Sequence, residues 1–518
     1  MVNFKAVWIV DFGSQYTQLI TRRSREIGHS SEIITYNTLA KRWKAGDRPK
    51  ALVLSGGPQS IFNDPRDYRF IFDDESVPVL GICYGMQIMG HVLGGKVEKG
   101  VSGEYGLSEI KFEQNVENFG LKNTFNSWMS HFDHLSVLPK NFKKMLSSQN
   151  GFIAGICHEQ RPIWGLQFHP EVEHTEHGRD ILSAFFDKVA GIDKDWGDSE
   201  MMDEALDVIR REGEAQILCA FSGGVDSLVA ASLCERVNPE NLHCFFVDHG
   251  LLRPQDIHHI KVLQEETKLN IQIVDVKEQF FSKLKGVGEP EAKRKIIGHE
   301  FITVFEQKVH EYENSHGIKF THLLQGTLYP DVIESVSPHG EEGISSTIKS
   351  HHNVGGLPER MKLKLMEPLR YLFKDEVRKL GEALGLDYEW VHRHPFPGPG
   401  IGVRVLGELT PTRVEQVGKS DQILFEELKA HNLYQDTWQA LTVLLPVKTV
   451  GVKGDERAYE EVICLRMVNS SDGMTATYSK LPFDFLSVVS RRITNEVSGI
   501  TRVVYDITDK PPGTIEWE

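Results

Sequence analysis

The sequence of 518 residues lacks long apolar runs and has fewer basic than acidic residues. No stretch approaches the roughly 18 to 20 uninterrupted apolar residues of a membrane span, and no basic region followed by an apolar one opens the chain. The 58 Lys and Arg against 73 Asp and Glu give a net charge of −15, which argues against a nucleic acid as the main partner, although local basic pockets remain possible. These absences predict a cytoplasmic protein without nucleic-acid or membrane partners.

Cysteine is scarce as well, with six residues scattered along the chain. No CxxC pair occurs, so neither a zinc site nor a disulfide framework is indicated, and a catalytic role stays open for at least one thiol. The six positions are Cys83, Cys157, Cys219, Cys234, Cys244 and Cys464.

The remaining composition is that of a globular protein, with 40% apolar and 25% charged residues. The length favours about three domains. Short β-rich runs alternate with helical patterns up to about residue 190, and a second alternating series has strands near 215–221, 243–248, 271–276 and 321–326. Such alternation predicts two α/β domains with doubly wound, mainly parallel sheets.

Two stretches read as domain boundaries. The polar, glycine-bearing stretch 190–198 is typical of a linker, and the Pro-Gly-rich stretch 395–400 fits neither a helix nor an inner strand. Beyond the second stretch, helical patterns near 411–430 and 483–497 and strand-like runs near 438–447, 459–468 and 500–507 predict a small α+β domain. We therefore predict domains at 5–194, 195–393 and 394–518.

The most informative motif is SGGVDS at residues 222–227, which follows an apolar strand-like run and precedes a helical pattern. Two glycines let the backbone approach an anion, while serine hydroxyls and the N–H groups of a helix N-terminus supply donors. The Gly-Lys-Ser/Thr ending of kinase-type loops is missing, so the loop points to pyrophosphate chemistry. The alternative is an ordinary Gly-Gly turn with a polar cap, which the flanking strand and helix disfavour.

Asp226 is the unusual member of this loop. A carboxylate among phosphate ligands repels them unless a divalent cation bridges the two. We therefore predict that Asp226 contacts Mg²⁺.

A second motif, GICYG at residues 81–85, lies where a strand turns into a helix. Flanking glycines permit the sharp turn that exposes a nucleophile at the end of a strand, and the helix N-terminus stabilises the thiolate of Cys83. Residues two apart in an extended segment point the same way, so Glu171 is placed to orient His169 toward that thiolate. Backbone amides near Gly57 and at Tyr84 are candidates for an oxyanion hole. Taken singly, Cys83 is better explained as a buried small apolar residue and His169 as a loop residue, but their combination is specific.

These residues resemble class I glutamine amidotransferases, which share the order of strand, GxCxG elbow and later HPE. The likeness includes DFGSQ at 11–15, SGGP at 55–58 and MQ at 86–87, and so covers the first predicted domain. It implies that Cys83 attacks the glutamine side-chain amide, that His169 and Glu171 complete a triad, and that Gln87 helps to hold the substrate.

Further motifs make the whole chain similar to the glutamine-hydrolysing GMP synthetase family: YPDVIES at 329–335, IKSHHNVGGLP at 348–358, LFKDEVR at 372–378 and the ending KPPGTIEWE. The resemblance implies Mg²⁺, the substrates XMP, ATP and glutamine, and a homodimer, to which apolar strand residues 462–465 would contribute an interface. Ammonia from glutamine would displace AMP from an adenylated XMP.

The resemblance also implies roles for individual residues. The segment that carries Lys349 would act as a lid, and Lys349 and Lys374 would neutralise phosphate charge during adenylation. Asp331 and Glu334 would link the lid to the synthetic site, and His351 and His352 are more simply explained as contacts to phosphate or substrate than as a metal pair. The ATP loop would comprise Ser222, Gly223, Gly224, Val225, Asp226, Ser227 and Leu228. XMP would be held by Arg294, Gln439, Arg502, Lys510, Ile515 and Glu516.

One residue departs from the family pattern, since His249 stands where an asparagine is common. Two other functions compete with GMP synthesis. Another adenylating amidotransferase, such as an NAD synthetase, also uses the SGGxDS loop but typically carries a nitrilase-type glutaminase. A catalytically idle nucleotide sensor would have lost the nucleophile, the base or the phosphate loop, and all three are intact here.

Overall fold

The computed structural model describes residues 5–100, 103–113, 120–335, 362–453, 456–470 and 475–518. The chain forms two compact units, one ending at Met201 and the other starting at Met202. Within the described ranges, every helix is too short or too polar to cross a membrane.

The first unit contains a mixed nine-stranded sheet and a small ribbon. Its strands are β1 (Val7–Val10), β2 (Ser31–Ile34), β3 (Ala51–Leu54), β4 (Val79–Ile82), β5 (Lys96–Glu98), β6 (Glu104–Phe112), β7 (Thr124–His131), β8 (His134–Val137), β9 (Phe142–Ser148), β10 (Ile153–His158) and β11 (Ile163–Leu166). The sheet order is β2-β1-β3-β4-β11-β10-β9-β6-β7, and β5 pairs with β8 outside it. The first five strands in this spatial order, β2, β1, β3, β4 and β11, pair in parallel, and the remaining four pairings are antiparallel.

The parallel half is buried on both faces, which explains why its strands are continuous apolar runs. Ile9 packs in one core cluster and its neighbour Trp8 in another, on opposite faces of the sheet. The helices of this unit are α1 (Thr17–Glu26), α2 (Tyr36–Lys44), α3 (Arg69–Asp73), α4 (Tyr84–Val92) and α5 (Gly178–Ser183), which continues into a π-helical segment, Ala184–Val189.

The second unit contains two sheets. The strands are β12 (Ile217–Ala220), β13 (Leu242–Asp248), β14 (Ile271–Asp275), β15 (His322–Leu324), β16 (Lys364–Met366), β17 (Gln439–Lys453), β18 (Glu456–Asn469), β19 (Thr477–Tyr478) and β20 (Ile500–Tyr505). The first sheet is parallel with the order β14-β13-β12-β15-β16. In the second, β18 pairs antiparallel with β17 and β19 and parallel with β20.

Nine helices follow α6 (Asp198–Arg210) within the described residues. They are α7 (Val225–Val237), α8 (Pro254–Glu266), α9 (Lys277–Leu284), α10 (Pro290–His316), α11 (Tyr329–Ser335), α12 (Lys374–Ala383), α13 (Tyr388–Val391), α14 (Pro411–Ala430) and α15 (Phe483–Glu496).

The fold class is confirmed, since an α/β sheet with a parallel half and a second, fully parallel α/β sheet are followed by a smaller α+β sheet. The sequence did not predict the antiparallel half of the first sheet or the short strand β16. One apolar cluster joins Leu218 and Phe245 of the second unit's parallel sheet to Val417 and Ile463, beyond the Pro-Gly stretch. The predicted second and third domains therefore share a core, and the division at 393/394 stays a prediction.

Candidate active sites

The turn between β4 and α4 carries Cys83 in a positive-φ conformation, with φ 52° and ψ −105°. Such a backbone costs a non-glycine residue about 1–3 kcal/mol and is typical of functional turns. A Cβ at Gly85 would lie 2.2 Å from the Leu54 carbonyl oxygen, and one at Gly81 would lie 2.7 Å from the Gly85 backbone. Both glycines are therefore needed for close packing, and the predicted elbow is present.

A buried acid–base pair adjoins the elbow. His169 Nδ1 lies 2.7 Å from Glu171 Oε1, and both side chains are buried. The main chain at His169 is held in place because its N–H donates to the Trp128 carbonyl and its carbonyl accepts from the Thr175 hydroxyl at 2.6 Å. The structure thus brings the predicted histidine and glutamate together as a rigid unit.

The charge state of His169 follows from this environment. Burial disfavours the imidazolium, but the charges of Glu171 and Cys83, with hydrogen bonds to both, outweigh burial and hold the pKa of His169 well above its usual value. A protonated imidazole beside Cys83 stabilises the thiolate, which is the nucleophilic form of cysteine.

Cys83 and His169 line a cavity of about 550 Å³ together with Gly57, Tyr84 and Gln87. A Cβ at Gly57 would lie 2.8 Å from the Phe12 carbonyl oxygen, so the chain can pass there only as glycine. Tyr84 begins α4, and the first N–H groups of a helix have no partner within that helix. This placement suits the predicted oxyanion donors.

Gln87 has a structural contact in addition to its place at the cavity. Its Nε2 donates to the Asp133 carbonyl at 2.8 Å, and Cys83 Sγ lies 3.7 Å from the Ser130 carbonyl oxygen. The segment Ser130–Asp133 therefore forms a wall of the cavity, which sequence reasoning missed because no motif marks it.

In the second unit, the glycine loop joins β12 to α7 as predicted. Gly223 has φ +72°, and the Ser222 and Ser227 hydroxyl oxygens lie 3.0 Å apart. A cavity of about 330 Å³ is lined by the loop from Ser222 to Ser227. Leu228 differs from its neighbours because its side chain is fully buried and its N–H donates to the Gly224 carbonyl at 2.9 Å.

Asp226 and Lys374 form an ion pair across this loop. Lys374 Nζ, at the start of α12, lies 2.8 and 2.6 Å from the two carboxylate oxygens of Asp226. The loop's negative charge is therefore balanced from within the chain. Asp331 also lines the cavity and accepts a hydrogen bond from the Leu328 N–H at 3.0 Å.

His249 lies in the same cavity wall. Burial lowers its pKa to about 4, so the ring is neutral, and its Nδ1 accepts the Leu251 N–H at 3.1 Å. The proton of the neutral ring is therefore on Nε2, so that a histidine at this position offers a hydrogen-bond donor.

Four of the predicted XMP residues lie around the C-terminal tail. Gln439 Nε2 donates to Glu516 Oε1 at 2.9 Å, Arg294 donates to the Glu518 main-chain oxygen, and Ile515 packs against a small apolar cluster that contains Leu441. These contacts bring Arg294, Gln439, Ile515 and Glu516 to one region.

Arg502 and Lys510 have contacts elsewhere. Gln439 pairs with Val468 and Arg502 with Val462, and these partners are six positions apart on β18, which corresponds to about 20 Å at about 3.3 Å per residue. The Lys510 main chain exchanges two hydrogen bonds with Ala476. The predicted set is therefore not gathered at one point.

Four predicted lid residues cannot be placed. Lys349, His351 and His352 lie outside the described residues, and the side chain of Glu334, in the last turn of α11, is not among those described.

Three family models match the chain in succession. Residues 8–189 match the class-I glutamine amidotransferases, residues 198–296 the PP-loop domain, and residues 426–517 the GMP synthase C-terminal domain. Together with the thiol and phosphate-loop sites, these matches define the class: a glutamine amidotransferase joined to an ATP-using PP-loop domain.

Full-length relatives narrow this class. A GMP synthase [glutamine-hydrolyzing] of Chlorobaculum tepidum is 49% identical over 100% of this chain and 99% of its own. One from Aquifex aeolicus is 48% identical over 99% of each chain. The chain belongs to the family of glutamine-hydrolysing GMP synthases, ligases that take their amido nitrogen from glutamine. The predicted family and reaction class are confirmed, and an NAD synthetase or an idle sensor is disfavoured.

Proposed function

We propose that the chain converts XMP, ATP, glutamine and water to GMP, AMP, pyrophosphate and glutamate, at two sites with separate chemistry. The observation that carries this proposal is the division of the groups: the thiol site lies in the unit ending at Met201 and the phosphate loop in the unit starting at Met202.

At the first site, the Cys83 thiolate attacks the side-chain carbonyl carbon of glutamine. The N–H groups of Gly57 and Tyr84 stabilise the negative oxygen that forms. His169, held by Glu171, gives a proton to the departing ammonia and then accepts one from the water that hydrolyses the thioester. Glutamate leaves and the thiolate is restored.

At the second site, the loop from Ser222 to Ser227 binds ATP phosphates through main-chain N–H groups, hydroxyls and the N-terminus of α7. An oxygen of XMP attacks the α-phosphate, pyrophosphate leaves, and ammonia then displaces AMP from the adenylated XMP. Lys374 and Lys349 neutralise phosphate charge during the attack, while Asp331 and Glu334 connect the lid to this site. His351 and His352 contact phosphate or substrate.

The donor set at the loop fits Mg²⁺. Magnesium in nucleotide sites binds one or two carboxylates, with phosphate oxygens and waters completing the shell. Asp226 supplies such a carboxylate, and no cluster of three or more His, Cys, Asp or Glu that suits a protein-only metal site occurs in the described part of the chain. When bound, the ion would reduce the charge on the phosphates of ATP.

The acceptor site is assigned to the residues around the tail. Arg294 provides charge for the XMP phosphate, Gln439 and Glu516 face the purine N–H groups and carbonyls, and Ile515 packs on the ring. Arg502 and Lys510 belong to the proposed set through the family resemblance.

A homodimer in the cytoplasm completes the proposal. Residues 462–465, expected from the sequence to contribute an interface, are instead buried within the chain. Exposed apolar side chains lie elsewhere on β17 and β18, with Val452 73% and Tyr459 67% exposed, and such side chains favour an interface.

The two-site division is tested by Cys83→Ala. We expect loss of glutamine-driven GMP synthesis with retention of synthesis from ammonium salts, because the thiol takes part only in releasing ammonia. The measurement is GMP formation followed by ultraviolet absorbance with each nitrogen source.

Cys157→Ala is the matched control, since Cys157 is also buried in the first unit but does not line the thiol cavity. This variant should retain both activities. Loss of ammonium-driven synthesis in a folded Cys83→Ala protein would contradict separate sites.

A further inference from the structure

A row of charged side chains runs through the second unit from the nucleotide cavity to the C-terminal tail. Asp256 and Arg253 line the cavity, where Arg253 Nε and Nη2 bind the two Asp256 oxygens at 2.7 and 2.9 Å. Arg253 Nη1 also lies 3.3 Å from Asp421 Oδ2, and Arg404 Nη1 lies 3.4 Å from that same oxygen. Arg404 then binds Glu516 through two nitrogens at 2.9 and 3.2 Å.

The centre of this row is inaccessible to solvent. Asp421 and Arg404 are fully buried and Arg253 is 3% exposed. Taking ions out of water costs several kcal/mol each, so these charges depend on one another for compensation. If Arg253 changes its partners, the strength with which Asp421 can bind Arg404 therefore changes as well.

The two oxygens of the Asp421 carboxylate have different partners: Thr442 binds one, and two arginines contact the other. Its Oδ1 accepts the Thr442 N–H at 2.9 Å and the Thr442 hydroxyl at 3.2 Å. The two guanidinium groups that compete for Oδ2 both lie over the ring of Phe396, at 4.3 and 4.9 Å, and this ring lines the nucleotide cavity.

We propose that Asp421 is a positioning residue that couples occupancy of the ATP cavity to the readiness of Glu516 to bind XMP. The proposal rests on the proposed acceptor role of Glu516. Phosphate charge in the cavity attracts Arg253 and weakens its contact with Asp421. Asp421 then binds Arg404 more strongly, and Arg404 releases its hold on Glu516, whose oxygens become available to purine N–H groups.

The direction of the coupling follows from this sequence of exchanges. ATP should tighten XMP binding, and by linkage XMP should tighten ATP binding by the same factor. The residues involved are not marked by any motif, because Arg253 and Asp421 are 168 positions apart in the chain.

The test is calorimetric titration of XMP into the full chain, with and without α,β-methylene ATP, and the reciprocal titration. We expect about 10-fold tighter XMP binding with the analogue in the unsubstituted protein, within the usual range for coupled sites. In Asp421→Asn this ratio should fall to within about 2-fold of unity, because a neutral amide no longer divides its charge between two arginines. A purely structural role would weaken both ligands and leave the ratio intact, which would overturn the proposal, as would absence of coupling in the unsubstituted protein.

Three further variants separate the possible outcomes. Arg404→Lys preserves the charge but cannot hold two carboxylates through a planar fork, so it should also lose the coupling, and it decides the question if Asp421→Asn does not fold. Glu415→Gln is the matched control for Asp421→Asn, because it is an acid-to-amide change at an exposed position of the same helix, α14. It should keep the full ratio of XMP affinities with and without the ATP analogue. Normal XMP affinity in Glu516→Gln would show that the acceptor assignment is wrong. Weakened XMP binding in that variant, with full coupling in Asp421→Asn, would overturn the coupling proposal alone.

Discussion

Glu171 controls the protonation of His169 from a fully buried position. The pKa of His169 in the folded chain lies above the value of about 6.5 expected when unfolded. The stabilisation from this ion pair is therefore complete below about pH 6.5 and is lost as the pH rises through the folded pKa.

Glu171→Gln keeps the shape and removes the charge. We expect the alkaline limb of kcat/KM for glutamine-driven synthesis to move to lower pH, because His169 loses the carboxylate that favours its proton. The rate should fall by about 10²- to 10⁴-fold, the usual contribution of a positioned acid–base group. The measurement is a pH profile with each nitrogen source. The ammonium-driven profile serves as the internal control, and an unmoved alkaline limb with glutamine would contradict the assignment.

At the scale of single residues, most of the thiol site could be predicted from the sequence, because Gly81, Cys83 and Gly85 act through local backbone geometry. It did not show the Ser130–Asp133 wall or the Arg253–Asp421–Arg404 row. Those contacts arise from packing between distant segments, and no short pattern in the chain records them.

Among the elements, the loop between β12 and α7 depends on glycine. A Cβ at Gly223 would lie 2.4 Å from the Ile260 side chain, in addition to the strain of a positive φ. The chain therefore passes close to α8 at the loop that lines the cavity.

Gly223→Ala should raise the KM for ATP by at least about 10-fold with either nitrogen source, since displaced N–H groups lose charge-assisted bonds worth about 1.5–3 kcal/mol each. Gly317→Ala is the matched control, because Gly317 has φ +65° at the end of α10 with no atom within 4 Å of the added Cβ. It should cost about 1–2 kcal/mol of stability and leave the KM for ATP unchanged. Equal KM values in both variants would show that close approach at the loop is unimportant.

Element prediction succeeded where the pattern was strong. The parallel strands β1, β3 and β4 are fully buried apolar runs, and α14 and α15 lie close to their predicted bounds. Strand β6 alternates buried and exposed residues with a glycine at position 106, and β16 has three residues, so neither gives a comparable signal.

At the scale of the whole molecule, the C-terminal tail contacts buried cations of its unit. Lys293 has no solvent exposure, and its Nζ donates at 2.6 Å to Glu518 Oε2 and to the Val405 carbonyl. Arg466, also fully buried, donates to the Thr514 carbonyl at 3.0 Å. Removal of the tail would take Glu518 away from Lys293 and the Thr514 carbonyl away from Arg466.

Deletion of residues 510–518 should therefore destabilise the second unit, by about 3–5 kcal/mol for each broken buried pair, and not only weaken XMP binding. Hydrogen exchange followed by mass spectrometry should show faster exchange in α10 and β17 and unchanged exchange in β1 to β4. Lys293→Met in the truncated chain should restore part of the protection, because no charge is then left buried at that site. Unchanged exchange throughout would mean that the tail only covers the surface.

The ion pair between Asp226 and Lys374 has a consequence for the electrolyte around the nucleotide loop. Salt screens the attraction between a separate charged side chain and an incoming phosphate, so binding that depends on such a group weakens as salt rises. In this loop the two groups neutralise each other at 2.6 and 2.8 Å, so the pair presents little net charge to the solution. When the triphosphate arrives, Lys374 exchanges one anion for another within the protein. Capture of ATP thus becomes less sensitive to the ionic composition of the surroundings.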